Sequence, residues 1–280
     1  TALTSSVIIP TGSTTAVIYV DPINDTLVEG NEDVVVTLTG TTPTYGGSVT
    51  HSATPAVVTI IDNDRSTLSV SGGTVSETLG GSTATFTLSL SNPSATDTVV
   101  SYSIGGSATP GSDFTPSATT GVVTISASVT SVPVVMSITD DSLVEGSETI
   151  ILTATTITGM VSGVGADNTI TIEDNDQAQI KIIPSAASVT EAGSPQFVVF
   201  TDKLAQDAMT VTLTLSGTAQ PGGVDYTGTA TQIVIIPAMS SSTLLSVALI
   251  DDTLVESSES LIATLNTVTG NASSLTIGSP

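Results

Sequence analysis

The chain has 280 residues, of which 26 are acidic and only three are basic, so its formal net charge is −23 at pH 7. Nucleic acids and anionic membrane surfaces are bound through basic patches, and this balance argues against both as partners. The chain has no run of the ~18 apolar residues that a membrane helix needs, so direct insertion into a bilayer is not expected.

Residues 1–64 are predicted to be the C-terminal half of a repeated, β-rich unit. Strands are expected at residues 6–9, 15–20, 33–39 and 56–61, followed by the closing motif Asp62-Asn63-Asp64. Half a sandwich leaves apolar faces and strand edges open. We therefore expect the other half to lie upstream in the parent chain or to come from another source.

Residues 65–176 are predicted to form a complete unit. In one strand Ala84, Phe86, Leu88 and Leu90 point one way and Thr and Ser point the other, as in a strand with one buried face. Seven strands are predicted, at Leu68–Val70, Thr83–Leu90, Thr98–Ile104, Gly121–Ile125, Val132–Ile138, Thr149–Thr155 and Thr169–Glu173. Short strands separated by Gly, Pro, Asn and Ser turns are typical of an antiparallel β-sandwich.

Residues 177–280 repeat this layout. They include the alternating strand Thr210–Leu215 and end on a short strand, Leu275–Ile277. Gly278-Ser279-Pro280 then stands where the other units have their closing acids.

A nine-residue acidic stretch organises each unit. It reads Asp-Asp-Ser-Leu-Val-Glu-Gly-Ser-Glu at residues 140–148 and recurs at residues 251–259 and, with Asn in first position, at residues 24–32. Equivalent aspartates lie 116 and then 111 residues apart, which is the length of a domain rather than of a solenoid repeat. The chain is therefore predicted to be all-β, with tandem antiparallel sandwiches arranged as beads on a string.

The last glutamate of each stretch predicts a bound cation. Glu32, Glu148 and Glu259 precede alternating apolar strands and lie in phase with the buried positions. A carboxylate directed toward a core must be neutralised, paired or bound to a cation. Because the chain has only three Lys and Arg residues, a cation is the favoured solution. The alternative is an acidic pole that is merely solvated.

Other acids recur in register with this stretch. Glu77 and Glu191 each precede a Gly-containing turn, Asp113 and Asp225 each lie in a Gly-x-Asp-aromatic turn, and Asp174-Asn175-Asp176 closes the second unit. In a sandwich these loops can converge at one pole. All the ligands offered are oxygens, which favours a hard cation over zinc. Calcium accepts six to eight oxygens in a flexible geometry, whereas magnesium requires a tight octahedron.

Four ordered motifs recur along nearly the whole chain. They are a Val-Ser-Glu or Val-Thr-Glu start, the Gly-x-Asp-Phe/Tyr turn, Asp-Asp-x-Leu-Val-Glu-x-x-Glu and the closing Asp-Asn-Asp. With these motifs the chain closely resembles the Calx-beta repeat family. The resemblance implies tandem immunoglobulin-like sandwiches of seven strands with Greek-key topology, which bind Ca²⁺ at one end, near the junction with the next domain.

The resemblance also implies which acids hold the metal. In the second unit they are Glu77, Asp113, Asp140, Asp141, Glu145, Glu148, Asp174 and Asp176. In the third unit they are Glu191, Asp225, Asp251, Asp252, Glu256 and Glu259, and in the first unit Asp25, Glu29, Glu32, Asp62 and Asp64. Ser279 replaces the closing Asp of the third unit, so that site is expected to be weaker or to hold fewer ions. Asn24 replaces the leading Asp of the first unit, which also lacks the upstream Glu and Asp.

Tandem repeats of this family that lack Cys, are poor in Lys and are rich in Thr resemble the stalks of very large bacterial surface adhesins. The resemblance implies a secreted bacterial protein at the cell surface, with neighbouring repeats of the same chain as its partners. The closing motifs abut the next unit at Arg65 and Gln177 with almost no linker. Bound Ca²⁺ is therefore expected to stiffen the repeats and their junctions.

Three other functions remain open at the level of sequence. A ligand-binding adhesive module, with a surface glycan or protein as its partner, would expose aromatic residues such as Tyr19, Tyr45 or Phe200. A calcium-sensing module would use the same acids for signalling. A glycosidase would use two carboxylates, but Trp is absent and His51 is the single histidine, so we predict that the chain is not an enzyme.

Overall fold

The computed structural model describes residues 6–78, 80–159, 161, 165–270 and 274–278, the side chains of residues 156 and 157 excepted. All regular secondary structure in these ranges is β-strand. The same ranges contain no helix long and apolar enough to cross a membrane. The prediction of an all-β chain is confirmed.

The first unit contains one antiparallel pair of strands among residues 6–64. The pair is β1 (Glu32–Val36) and β2 (Ala56–Ile60), with Val34 opposite Val58. The strands predicted at residues 33–39 and 56–61 are thus found, each of them shorter than predicted.

The strands predicted at residues 6–9 and 15–20 are wrong, because neither segment pairs with a strand. The equivalent segments of the second unit, residues 120–125 and 131–138, each pair with a strand from the first half of that unit. Residues 6–31 hold no such strand. Their apolar side chains therefore stay in solvent, and Val17 is 66% exposed.

The second unit is a sandwich of two sheets. Its strands are β3 (Leu68–Ser71), β4 (Thr74–Ser76), β5 (Ser82–Leu90), β6 (Thr98–Gly105), β7 (Phe114–Thr115), β8 (Thr120–Ile125), β9 (Ser131–Ile138), β10 (Glu148–Thr158) and β11 (Ala166–Glu173). One sheet has the order β4-β11-β10-β6-β8 and the other β3-β5-β9-β7. All seven predicted strands are present. The two additional strands, β4 and β7, have three and two residues, too few to show a sequence period.

The core of this unit lies between the two sheets. The predicted inner face of β5 is buried, and Phe86 and Leu88 have no exposed surface. Leu152 from β10 and Ile125 from β8 belong to the same buried cluster. Burying one such side chain stabilises the fold by ~1.5–3 kcal/mol, so this cluster holds the loops at the ends of the sandwich in place.

The third unit repeats the two-sheet arrangement. Its strands are β12 (Ala178–Pro184), β13 (Gln196–Thr201), β14 (Met209–Gly217), β15 (Thr231–Ile236), β16 (Ser242–Ser246), β17 (Leu261–Thr269) and β18 (Leu275–Ile277). The sheet orders are β16-β13-β12-β18 and β15-β14-β17. Most pairs are antiparallel, but β4 with β11 and β12 with β18 are parallel, so the sheets are mixed. The prediction of tandem sandwiches is confirmed.

Neighbouring units touch through their acidic loops. Val144, in the loop between β9 and β10, accepts a backbone hydrogen bond from Gln206 at 3.0 Å and donates one to the carbonyl of Leu204 at 2.9 Å. Its side chain is 0% exposed and belongs to the core cluster of the third unit. Val28 makes the corresponding bridge from the first unit to Ser94 of the second.

Candidate metal centre

Four segments of the second unit deliver their acids to one end of the sandwich. Glu77 follows β4, and Asp174 follows β11, the strand with which β4 pairs in parallel. Glu148 opens β10 opposite Ile172 near the end of β11. Asp113 immediately precedes β7, whose first residue lies opposite the last residue of β9. The strand pairing itself therefore brings these distant residues together.

Asp113 is held by its own loop. Its carboxylate accepts a hydrogen bond from the backbone N–H of Thr109 at 2.5 Å, and its carbonyl accepts one from Thr139 at 2.9 Å. The loop begins at Gly106, whose φ of +117° favours glycine, and a Cβ there would lie 2.1 Å from the carbonyl oxygen of Thr149. Glycine thus allows the Asp113 loop to pack against the start of β10.

Three carboxylates meet at the centre of this end. Asp113, Glu145 and Glu148 each place an oxygen within 4.8 Å of the other two. Asp113 and Glu145 are only 6% and 5% exposed. Negative charges this close and this shielded from water repel one another unless they bind protons or a cation.

Glu77 adds a buried carboxylate beside this cluster. It is 4% exposed, and its Oε2 is buried and has no hydrogen-bond partner among the described residues. Its backbone N–H donates to the carbonyl of Glu173 at 3.0 Å, which fixes the direction of the chain at this point. A buried carboxylate oxygen without a partner is unfavourable, so this atom fits a site that receives a cation.

Burial and the crowding of these carboxylates raise the pKa values of three glutamates. Burial, followed by the charges of Glu145 and Asp174, raises the pKa of Glu77 to about 7. Burial and then Asp113 raise the pKa of Glu145 to about 7. Burial and the hydrogen bond and charge of Asp113 raise the pKa of Glu148 to about 8.

The closing motif organises the rim of the site. Asp174 accepts hydrogen bonds from the backbone N–H groups of Glu145 and Asp176, both at 2.8 Å. The Asn175 side chain donates to the carbonyl of Glu77 at 2.6 Å and to the carboxylate of Asp140 at 2.9 Å. Sequence reasoning did not single out Asn175, although its place between two predicted ligands was a signal.

The remaining acids of this unit lie at the edge. Asp141 is exposed and accepts a hydrogen bond from the N–H of Leu143 at 2.7 Å, while its charge still contributes to the raised pKa of Glu77. Asp176 is 7% exposed and pairs with the ammonium group of Lys203 from the third unit. The side chain of Gln206, also from the third unit, faces Glu148 and partly offsets the rise in the pKa of that glutamate. Neither Lys203 nor Gln206 was predicted, because both reach the site from another unit.

The first unit gathers all five of its predicted acids. Burial and the charges of Glu32, Asp25, Asp62 and Asp64 raise the pKa of Glu29. The N–H of Glu29 donates to Asp62 at 2.8 Å and that of Asp64 donates to the other oxygen of Asp62 at 2.9 Å. These bonds repeat those of the second unit, but Glu32 is exposed and not buried as its phase in the strand predicted.

The third unit gathers its acids in a more open form. Burial and the charges of Asp225, Asp252 and Glu191 raise the pKa of Glu256, and burial with Asp225 raises that of Glu259. Asp225 accepts a hydrogen bond from Gln220 at 2.5 Å, as Asp113 does from Thr109. The acids of this set that are exposed to solvent are Glu191, Asp251, Asp252, Glu256 and Glu259. Glu259 was predicted to lie at a buried position, and this prediction is wrong. Ser279 lies outside the described residues.

The aromatic residues considered as ligand-binding candidates are divided between the first and third units. Tyr19 and Tyr45 are 81% and 90% exposed in the first unit. Phe200 is half-buried in β13 of the third unit. His51 is exposed and lies outside any strand.

The donor set of the second unit fits a hard cation. Every candidate ligand is a carboxylate oxygen, and two of them, Oε2 of Glu77 and Oδ2 of Asp176, are buried without a hydrogen-bond partner among the described residues. The ligands come from several loops and from the first residue of β10 rather than from one rigid element. Calcium takes such oxygen sets in flexible geometry.

Tandem β-sandwiches with an acidic end at each unit define the class of protein. The sequence matches the model of the Calx-beta domain in three segments, residues 1–64, 62–176 and 173–280. The chain belongs to the Calx-beta domain family, as its sequence motifs predicted.

Solved structures of this family resemble the chain in part. CBD12 from CALX1.2 is 18% identical, with 66% of this chain and 74% of that one covered and a TM-score of 0.34. The calcium binding domain CBD12 of CALX1.1 is also 18% identical, with 70% and 78% covered and a TM-score of 0.32. The apo-form Calx CBD1 domain is 21% identical over 40% of this chain and 100% of that one, with a TM-score of 0.33. No curated protein sequence matches the chain.

Proposed function

We propose that this chain is a calcium-binding structural segment of an extracellular adhesin, in which Ca²⁺ stiffens the repeats and their junctions. The cluster of Asp113, Glu145 and Glu148 carries the proposal, since three shielded carboxylates converge within 4.8 Å of one another. Glu77 and Asp174 border this cluster, since burial together with the charges of Glu145 and Asp174 raises the pKa of Glu77 and Asp174 accepts a hydrogen bond from the N–H of Glu145. Membership of the Calx-beta family, whose domains are calcium-binding modules, supports the choice of ion.

The mechanism that we propose is mechanical. Asp141 and Glu145 flank the segment whose Val144 is buried in the next unit. An ion held by these acids would neutralise their repulsion and fix the loop that joins the two units. Binding to the native state alone adds RT ln(1 + [L]/Kd) to stability, about 2.7 kcal/mol at a hundredfold excess over Kd.

We further propose that the protein lies at a bacterial cell surface, where a calcium site of this kind would be filled. Calcium sites of extracellular modules have Kd values of ~10⁻⁴–10⁻³ M, so they fill outside the cell and stay empty at cytosolic calcium. The chain has no cysteine, so its units depend on packing and on ions rather than on disulfides. We propose a spacer that positions an adhesive partner, a glycan or protein, and not an enzyme.

Calcium titration of the full chain tests the proposal. We expect Ca²⁺ to raise the melting temperature and to make the molecule longer and stiffer in small-angle X-ray scattering, with a much smaller effect of Mg²⁺. Glu145→Gln should remove most of this response. Asp167→Asn is the matched control, because Asp167 is exposed in β11 away from the pole. If calcium changes neither melting nor solution length, the proposal is wrong.

A further inference from the structure

Two valines, Val28 and Val144, each bind the following unit through the same kind of contact. Val28 is 3% exposed and Val144 is 0% exposed. The N–H of Val28 donates to the carbonyl of Pro93, and its carbonyl accepts from Ala95, both at 2.9 Å. Val144 makes the same pair of bonds to Leu204 and Gln206. We call Val28, Val144 and their third equivalent, Val255, the docking valines.

The segment that accepts a docking valine is built by the following unit itself. We call this segment, residues 92–95 in the second unit and 203–206 in the third, the receiving turn. At its centre the carbonyl of Ser94 accepts a hydrogen bond from Ser128 at 2.8 Å, and that of Ala205 accepts one from Met239 at 2.9 Å. The turn is therefore held in a fixed shape. One carbonyl group and one N–H group, two residues apart, remain available to form hydrogen bonds with a single residue of another segment.

Val255 lies in a loop with the same local structure, but it has no partner among the described residues. The N–H of Leu254 donates to the carboxylate of Asp252 at 2.6 Å, as that of Leu143 does to Asp141 at 2.7 Å. Yet Val255 is 102% exposed and Leu254 is 66% exposed. Val255 forms no β-bridge to any residue that the structure describes.

We propose that Leu254 and Val255 form a docking surface whose occupant is the receiving turn of a further Calx-beta repeat. The occupant follows from repetition, because the other two docking valines of this chain both bond to that turn. The contact is head-to-tail, with different surfaces on the two partners, so each repeat can pass it on to the next. It combines an apolar side chain with main-chain hydrogen bonds, as in strand addition to a sheet edge. The contacts that form it are backbone hydrogen bonds and an apolar side chain and include no carboxylate, so docking and calcium binding can be tested apart.

Disulfide trapping tests the proposal in a chain that has no cysteine of its own. Val28→Cys with Ser94→Cys in one chain is the reference, since bridged residues lie within disulfide range. A second variant combines Val28→Asp, which should release the loop of the first unit from the receiving turn of the second unit, with Ser94→Cys, which places a thiol in that turn. This chain is mixed with a second chain carrying Val28→Asp and Val255→Cys, under mild oxidation. Val224→Cys replaces Val255→Cys in the matched control, because Val224 is also an exposed valine of the third unit.

The expected result is rapid closure of the reference disulfide and preferential formation of the mixed dimer through Cys at position 255. Equal rates of mixed-dimer formation from positions 255 and 224 would overturn the proposal. So would a reference pair that does not close, because the docked geometry would then be absent in solution. Val28→Ala in place of Val28→Asp repeats the test with a milder change, and unchanged melting of the second and third units shows that the vacated chain is folded.

Discussion

The ammonium group of Lys203, in the third unit, pairs with the carboxylate of Asp176, in the second. Asp176 is 7% exposed, and its other oxygen is buried without a partner. At the preceding junction Asn92 stands in the position of Lys203 and donates to the carbonyl of Arg65 at 2.7 Å. The receiving turn of the third unit therefore brings a positive charge to the acidic pole, whereas the receiving turn of the second unit, with Asn92 in that position, brings none.

Lys203→Gln should destabilise the calcium-free chain. The change leaves the shielded carboxylate of Asp176 with less compensation, and the loss is smaller than for a fully buried pair because Lys203 is partly exposed. Thermal unfolding in EGTA and in calcium measures the effect, and calcium should restore most of the loss. Lys181→Gln is the control, since it removes the same charge from β12. An equal loss from both variants, in both conditions, would contradict this role of Lys203.

The stability of the calcium-free chain should fall as pH rises from about 4.5 to about 8. Glu77, Glu145 and Glu148 have folded-state pKa values raised to about 7, 7 and 8 from an ordinary value of 4.5. In this window the native state binds more protons than the unfolded state, so the free energy of unfolding decreases with pH. Calcium should reverse the trend, because it binds the ionised carboxylates. Urea unfolding of the second unit at pH 5 and pH 8, with EGTA or calcium, checks both slopes.

Glu77→Gln should raise the stability of the calcium-free chain and weaken its calcium binding. The amide removes a charge that repels Glu145 and Asp174, so the melting temperature in EGTA at pH 8 should rise. Calorimetric titration should show weaker calcium binding, because a ligand has lost its charge. Asp167→Asn should change neither quantity. A melting temperature that falls in EGTA would mean that Glu77 is held by compensating contacts rather than strained by its neighbours.

The sequence predicted those strands in which apolar and polar residues alternate over many positions. The strand around Phe86 and Leu88 was predicted because its buried face repeats every second residue over its whole length. Residues 6–9 and 15–20 are short, strand-like apolar runs, but a strand requires a partner. In the second unit the partners of the equivalent strands come from a segment with no counterpart among residues 6–31. Pairing is a property of two segments, so one segment cannot reveal its absence.

The candidate ligands were predictable because three copies of one pattern align acids that are distant in sequence. The convergence of Asp113 with Glu145 and Glu148 agrees with that prediction. The contacts of Lys203 and Gln206 with the pole were not predictable. Each comes from the next unit, and nothing in the local sequence marks a side chain that will cross a junction.

Val144→Ala and Val255→Ala should differ sharply although both replace the same residue in the same motif. Val144 is 0% exposed in the core of the third unit and Val255 is 102% exposed. The first change should destabilise the third unit by about 2 kcal/mol through lost burial and the cavity left behind. The second should change the free energy of unfolding by no more than about 0.5 kcal/mol, as other surface substitutions do. Urea unfolding with a probe in the third unit measures both, and equal effects would show that Val144 is not docked.

The second unit should bind calcium more tightly than the third. Glu145 is 5% exposed and held by Asp174, whereas Glu256 and Glu259 are exposed in a loop whose docking valine has no partner among the described residues. A preorganised set of ligands loses less conformational entropy on binding, and a difference of about 1.4 kcal/mol corresponds to a tenfold difference in Kd. Calorimetric titration should therefore show a stronger step that Glu145→Gln removes and a weaker step that Glu256→Gln removes. The reverse assignment of the two steps would mean that an undocked, open loop binds calcium better than a docked one.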